Sequence, residues 1–109
     1  MTPNAIEKLQ VQHHFSNGVY AKELSIDDLD TCIVSHKHYF DHMSILATGS
    51  VELTVDGVKS ILTAPAVLNI AAGKHHKVTP LETPIKWFCI HRTDITDPEL
   101  VDNELAENI

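Results

Sequence analysis

Positive charge is scarce in this chain. Only 8 lysines and arginines face 15 aspartates and glutamates, so the formal net charge is -7 at pH 7. Such a surface repels phosphate backbones and anionic lipid headgroups, and we expect neither nucleic acid nor a membrane as a partner. Long apolar runs are also lacking, since none approaches the roughly 18 residues of a membrane span.

The sequence also contains few cysteines, and its first residues do not resemble a secretory signal. The first ten residues, MTPNAIEKLQ, have neither the basic region nor the apolar segment of a secretory signal. The only two cysteines, Cys32 and Cys89, fit reduced thiols better than a disulfide framework. We therefore expect a cytoplasmic protein. A length of 109 residues allows one domain with a single core.

Turn signals recur at short intervals, among them Thr48–Ser50 and Asp56-Gly57, and separate short segments rich in β-branched and aromatic residues. These segments are VYAKELSI, TCIVSHKH, HMSILA, VELTV, VKSIL, AVLNIA and IKWFCIH. Strands with this spacing are typical of a sandwich or barrel rather than of alternating helices and strands. The sequence therefore predicts one all-β domain.

The clearest local element is a hairpin. In VELTVDGVKSIL, apolar and polar residues alternate before Asp56-Gly57, a pair that favours the positive φ angles of a tight turn. Only the two ends read as helical, over residues 4–11 and 97–108. In the second of these, Asp97 suits the N-cap and Pro98 the first helical position.

Histidine is abundant in a sequence whose composition is otherwise ordinary. His36, His38 and His42 lie within seven positions, in SHKHYFDHMSILATG. On a strand His36 and His38 project from the same face, but a straight strand would carry His42 about 13 Å beyond His38. Imidazole nitrogens lie about 2.0–2.1 Å from a zinc-like ion, so one site can use all three only if the chain reverses through Tyr39–Asp41.

A further nitrogen donor is available later in the chain. In AAGKHHKV, a turn at Gly73 leads into His75 and His76. Adjacent strand residues point to opposite faces, so only one of the two can face a shared ion.

The two histidine segments resemble the motifs of the cupins, a family of small β-barrels. His36 and His38 match the paired histidines of the first motif. After three intervening residues His42 stands where the family has glutamate, and after six more Gly49 closes the motif. Gly73 and His76 match the second motif, in which Ala71 replaces a proline. The leading glycine of each motif is absent.

The resemblance implies a single-domain double-stranded β-helix, or jelly-roll barrel, over residues 18–92. Residues 1–17 would form an N-terminal extension, and residues 93–109 an acidic, helical tail. It also implies a metal site formed by His36, His38, His42 and His76, with His75 facing solvent. Such a set is wholly neutral nitrogen, which suits iron, nickel, zinc or copper, with iron favoured by analogy with all-histidine cupin dioxygenases.

Two alternatives to an open metal site remain. The histidines could be unrelated surface residues, or they could hold a structural zinc whose fourth position is closed. Around the site, His91, Cys89 and Phe40 are candidates for lining a pocket, the alternative for each being a packing role. Neither cysteine has an activating base nearby in the sequence, so nucleophilic catalysis is not supported.

HMSILA and AVLNIA are largely apolar on both faces, unlike VELTV. A strand buried on both faces needs cover outside the barrel, and the chain has little helix to provide it. We therefore expect a homodimer that covers these outward faces and the region near Val19.

Two classes of function follow from the resemblance and the histidines. The first is a metal-dependent enzyme acting on a small anionic or chelating molecule, such as an iron-dependent oxygenase. The second is a non-catalytic cupin that binds a small molecule or a metal as a sensor or accessory protein. The histidines suit both classes, because both share the same barrel and the same ligands.

Overall fold

Seven strands contain most of the residues that the structure describes. The computed structural model describes residues 9–35, 41–94 and 96–97. The strands are β1 (Gln10–Ser16), β2 (Val19–Ile26), β3 (Ile33–Ser35), β4 (His42–Val55), β5 (Val58–Thr63), β6 (Ala66–Ile70) and β7 (His76–Arg92). All pairings between them are antiparallel. The prediction of an all-β domain is confirmed, and within the described residues no helix is long and apolar enough to cross a membrane.

Two long strands, β4 and β7, run through both layers of the barrel. In the first sheet, the start of β4 pairs with β6 and with the end of β7, which also pairs with β2 beside β1. In the second sheet, the end of β4 pairs with β5 and with the start of β7, which also pairs with β3. Register shifts between Leu46 and Val51 mark the bend where β4 passes from one sheet to the other.

The two sheets enclose one apolar core. Its fully buried side chains include Trp87, Leu46, Ile85 and Ile26 from the first sheet, with Val51 and Val78 from the second. On β7 the residues Ile85, Trp87, Cys89 and His91 are all buried, so this face of the segment points into the barrel. The alternation of inward and outward residues thereby fixes which side chains can reach the interior.

The strand boundaries test three predictions about local structure: a hairpin, a turn and a helix. Asp56 and Gly57 have positive φ angles of 46° and 84° between β4 and β5, so the predicted hairpin is confirmed. The turn predicted at Thr48–Ser50 is wrong, because β4 continues through it as a bent strand. The helix predicted over residues 4–11 is wrong for Gln10 and Val11, which pair with β2; residues 1–8 and 98–109 lie outside the described part.

Candidate metal centre

Two buried histidines meet at one end of the barrel. His42 begins β4 in the first sheet and His76 begins β7 in the second, and each is at most 3% exposed. Their ring centroids are 5.7 Å apart, with the planes tilted by 46°. Two imidazoles that ligate one ion through nitrogens about 2.1 Å away have centroids about 4.5–6 Å apart. The pair therefore fits two ligands of one divalent ion.

The way His42 reaches His76 differs from the sequence prediction. A reversal through Tyr39–Asp41 was expected to bring the strand from His42 alongside the preceding one. Instead β3 pairs with β7, whereas the start of β4 pairs with β6 and β7 in the opposite sheet. His42 thus approaches from across the barrel, because two sheets that face each other bring their inward residues together at the shared end.

The other predicted ligands, His36 and His38, lie outside the described residues, as does Phe40. The segment that contains them is bounded by described residues on both sides. Ser35 is the register partner of His76, and Asp41 directly precedes His42. Among the described residues alone, no group of three or more histidine, cysteine, aspartate or glutamate side chains is arranged to hold a metal ion.

Two aspartates form hydrogen bonds with the loop that leads into His76. The backbone N–H of His75 donates to Asp56 Oδ1 at 3.0 Å, and the Asp56 N–H donates to the His75 carbonyl at 3.0 Å. The Ala72 N–H donates to Asp41 Oδ1 at 2.7 Å. The hydrogen bond from His75, assisted by Lys74, holds the pKa of Asp56 below its ordinary value. Asp41 thus joins the loop before His76 to the residue before His42, and Asp56 joins it to the turn between β4 and β5.

His75 and His76 divide as adjacent strand residues should. His76 is buried, whereas the His75 side chain is exposed. The ring of His75 therefore points away from His42, which makes it a natural comparison for His76 in experiments.

His91 and Tyr20 extend the row of inward polar rings. Met43 pairs with Ile90, so His91 occupies the position beside His42 on the neighbouring strand. Tyr20 is the register partner of His91, and their rings meet edge to face at 5.4 Å. The Tyr20 hydroxyl and His13 Nδ1 are hydrogen-bonded at 2.6 Å. His91 is 7% exposed and lies on the same inward face as Cys89, and that either of them lines a ligand pocket stays a prediction.

Two residues further along the same strands, Ser44 and Cys89 line the interior of the barrel. Both are buried, and the Ser44 hydroxyl donates to Cys89 Sγ at 3.9 Å. Burial raises the pKa of the Cys89 thiol, and the contact with Ser44 opposes this only in part. The thiol thus stays protonated at neutral pH.

The side chains missed by sequence reasoning are Tyr20, Ser44 and Asp56. Ser44 shares its strand parity with His42, a signal present in the sequence. Tyr20 could not be connected to His91 without knowing that β2 pairs with the end of β7. Asp56 was identified only as a turn residue, and its contact with the loop before His76 arises from the fold.

A hollow of about 390 Å³ opens on the outer side of this end of the barrel. It is lined by Val34, Thr54, Asp56, Gly57, His75, His76 and Lys77. Thr54 pairs with Lys77, which also pairs with Val34, and this row alternates with the buried positions of the same strands. The hollow therefore lies behind His76 rather than between His76 and His42.

Comparison with solved structures agrees with this architecture. A cupin superfamily protein from Desulfitobacterium hafniense has a TM-score of 0.63 at 23% identity, covering 78% of this chain and 79% of that one. A Cupin 2 conserved barrel domain protein from Salinispora arenicola has 0.61 at 19%, covering 88% and 82%. An RmlC-like cupin with a double-stranded β-helix fold from Methanocaldococcus jannaschii has 0.67 at 9%, covering 86% and 85%.

The fold expected from the resemblance is therefore confirmed: this chain is a small protein with the cupin double-stranded β-helix. No protein-family model matches the sequence, and no curated protein matches it. Because the identities to the solved cupins are below 25%, the likeness defines the fold, and the function has to be argued from the site.

Proposed function

We propose that this protein is a small metal-binding cupin whose divalent transition metal is held by His42 and His76 together with His36 and His38. The observation that carries the proposal is the approach of two buried imidazoles, 5.7 Å apart, from opposite sheets. The segment that contains His36 and His38 is joined at one end to the register partner of His76 and at the other to His42.

The chemistry of the buried donors favours a transition metal. The buried polar side chains among the described residues are histidine, serine and threonine, and none is a carboxylate. Imidazole suits iron, nickel, copper and zinc, whereas magnesium and manganese favour carboxylate and water. Four neutral ligands would leave the +2 charge of the ion uncompensated, so the site should attract small anionic or chelating molecules.

The protein would surround such a ligand with both polar and apolar side chains. His91, on the strand beside His42, would contact this ligand, and Ser44 would offer a hydroxyl further into the barrel. When bound, the metal would polarise a coordinated ligand as a Lewis acid and, if iron, supply redox chemistry with oxygen. Below the histidines, Trp87 and Leu46 close the interior with apolar side chains and exclude water.

The metal proposal is tested by comparing adjacent histidines. Protein purified without a histidine tag is loaded with Fe(II) or Zn(II), dialysed and analysed for metal content. We expect His42→Ala and His76→Ala each to lower retention at least tenfold, because each removes a buried donor. His75→Ala should retain metal like the wild type. Equal retention in His76→Ala and His75→Ala would contradict the proposal.

A second substitution tests the donor set at the position where this chain departs from the cupin motif. His42→Glu replaces a neutral nitrogen with an anionic oxygen and should shift the preference towards Mn(II). Competition between Fe(II), Zn(II) and Mn(II) on the wild type and the variant measures this shift. An unchanged preference would mean that His42 does not contact the ion.

Catalysis is a separate question from metal binding. For an iron-dependent oxygenase, Fe(II)-loaded protein should consume oxygen with a small chelating substrate such as a diketone, a thiol or a hydroxy acid, and Zn(II)-loaded protein should not. The alternative is a non-catalytic sensor or accessory cupin. It is favoured by the protonated Cys89 thiol and by the lack of a buried carboxylate among the described residues, since neither provides an acid-base pair. Tight ligand binding without turnover across the panel would support this second function.

A further inference from the structure

The hollow on the outer side of the barrel is separate from the interior where the proposed metal lies. Its floor is a cross-strand row on the second sheet, in which Lys77 on β7 pairs with Val34 on β3 and with Thr54 on β4. Beside this row it is lined by the turn at Asp56-Gly57 and by His75. We call this feature the outer hollow. Its volume of about 390 Å³ lies within the range of small-molecule sites.

Polar groups at the rim of the outer hollow are engaged with one another. The backbone N–H of His75 donates to Asp56 Oδ1, and the Asp56 N–H donates to the His75 carbonyl. The second carboxylate oxygen of Asp56 lies 3.4 Å from Lys74 Nζ, so the negative charge of Asp56 is offset locally. Carbon atoms make up most of the lining, and Val34 contributes an apolar side chain that is 66% exposed. A ligand that fills the outer hollow therefore needs an apolar body.

One positive charge at the outer hollow is not offset. Lys77 is exposed, and among the residues that the structure describes it forms no ion pair. Cross-strand partners lie about 4.5–5.5 Å apart, so the methylene groups of Lys77 are next to Val34 and Thr54 while its ammonium group stays in water. The chain as a whole carries a net charge of -7, which repels multiply charged anions. The charges therefore favour a ligand with a single negative charge.

We propose that the outer hollow is a second binding site, for a small amphiphilic monoanion in which a carboxylate is attached to an aromatic or branched aliphatic body. The carboxylate pairs with Lys77, and the apolar body lies over Val34 and Thr54. A phosphate group suits the outer hollow less well, because it needs several convergent donors and the N–H groups of Asp56 and His75 already donate elsewhere. This inference is independent of the proposed metal site.

Nuclear magnetic resonance with cinnamate, an aromatic carboxylate, tests where such a ligand binds. The isotope-labelled full chain, loaded with Zn(II), is titrated with cinnamate while the backbone amide shifts are followed. We expect the largest shifts at Val34, Gly57 and Lys77, and small ones at Ser44 and Cys89, which face the barrel interior. Cinnamamide, the neutral analogue, should bind about threefold more weakly, the effect of losing one solvent-exposed ion pair.

Two pairs of exposed residues on the second sheet provide matched variants. Lys77→Met removes the charge and should weaken cinnamate about threefold while leaving cinnamamide unchanged. Lys59→Met, two strands away and 3.9 Å from Glu52, should change neither. Val34→Asp should weaken cinnamate about tenfold, because the new carboxylate removes apolar contact and repels the ligand. Ile61→Asp, at a residue that is 69% exposed and outside the outer hollow, should leave binding unchanged.

Folding of each variant is checked by circular dichroism, and the comparison of cinnamate with cinnamamide on the wild type needs no variant. Shifts centred on Ser44 and Cys89 would mean that cinnamate binds inside the barrel, at the proposed metal, and would overturn the inference. The absence of shifts at millimolar cinnamate would overturn it equally, as would equal binding of cinnamate and cinnamamide by the wild type.

Discussion

At the scale of single residues, Gly49 allows β4 to cross from one sheet to the other. Its φ of +82° lies in the left-handed region. A Cβ atom at this position would lie 2.7 Å from the Pro84 carbonyl oxygen and closer still to the Glu82 carbonyl oxygen. Gly49 is also the residue that closes the first cupin motif. The tight packing of β4 against β7 explains in physical terms why a glycine is needed there.

Gly49→Ala should therefore destabilise the protein by at least about 3 kcal/mol, from backbone strain together with the clash against β7. Gly73→Ala is the matched comparison, because Gly73 has a similar φ of +79° but no atom within 4 Å of an added Cβ. It should cost only about 1 kcal/mol, the strain alone. Urea unfolding of both variants measures the difference. Similar losses for the two would show that contact with β7 contributes nothing.

At the scale of elements, one carboxylate connects three strands of the first sheet. Glu23 on β2 contacts His14 on β1 and Lys86 on β7, and Lys86 also donates to Ser25 at 3.1 Å. Hydrogen bonds from Lys86 and then His14 hold the pKa of Glu23 below its ordinary value. Because the folded protein favours the ionised carboxylate, its contribution to stability is present above the unfolded pKa and is lost as the pH falls through the folded pKa.

Glu23→Gln should lower the urea midpoint at pH 7, and its difference from the wild type should shrink as the pH falls from 5 to 3. Unfolding curves at several pH values measure this. Glu52→Gln on the second sheet is the control, since its carboxylate lies 3.9 Å from Lys59 in a longer, more exposed contact. The control should lose less stability at pH 7. A difference between Glu23→Gln and the wild type that does not vary with pH would contradict the linkage.

At the scale of the whole molecule, the proposed ion would connect the two sheets, because His42 belongs to one and His76 to the other. An ion that binds only the folded state stabilises it by about 2.7 kcal/mol when its free concentration is 100 times the dissociation constant. For a domain of this size that corresponds to roughly 10 °C in Tm.

Thermal unfolding of the wild type should therefore shift upwards by about 10 °C between chelator and excess Zn(II). His76→Ala should lose most of this shift, whereas His75→Ala should keep it. Near-ultraviolet circular dichroism of the metal-free variants checks that both retain the native fold. The same gain in Tm for His76→Ala as for the wild type would mean that the metal binds elsewhere.

The sequence by itself determined most of the strand segments and the alternation of faces within them, whereas β1 was missed because the helix predicted over residues 4–11 overlaps its start. β2 and β5 begin where the alternation and turn signals predicted, and the Asp56-Gly57 hairpin is present. Local φ preferences and the two-residue period of a strand are encoded by neighbouring residues, so they can be predicted without knowing the fold. The cupin resemblance added the pairing of distant segments, and the structure confirms the barrel.

Only the tertiary structure decided where the strands bend and which residues meet across the barrel. The turn signals at Thr48–Ser50 became a bend within β4, because pairing with β7 on both sides of Gly49 outweighs the local preference for a turn. The approach of His42 to His76, and of Tyr20 to His91, depends on pairings between residues far apart in the chain. Such contacts are set by the stacking of two sheets, to which no local sequence signal corresponds.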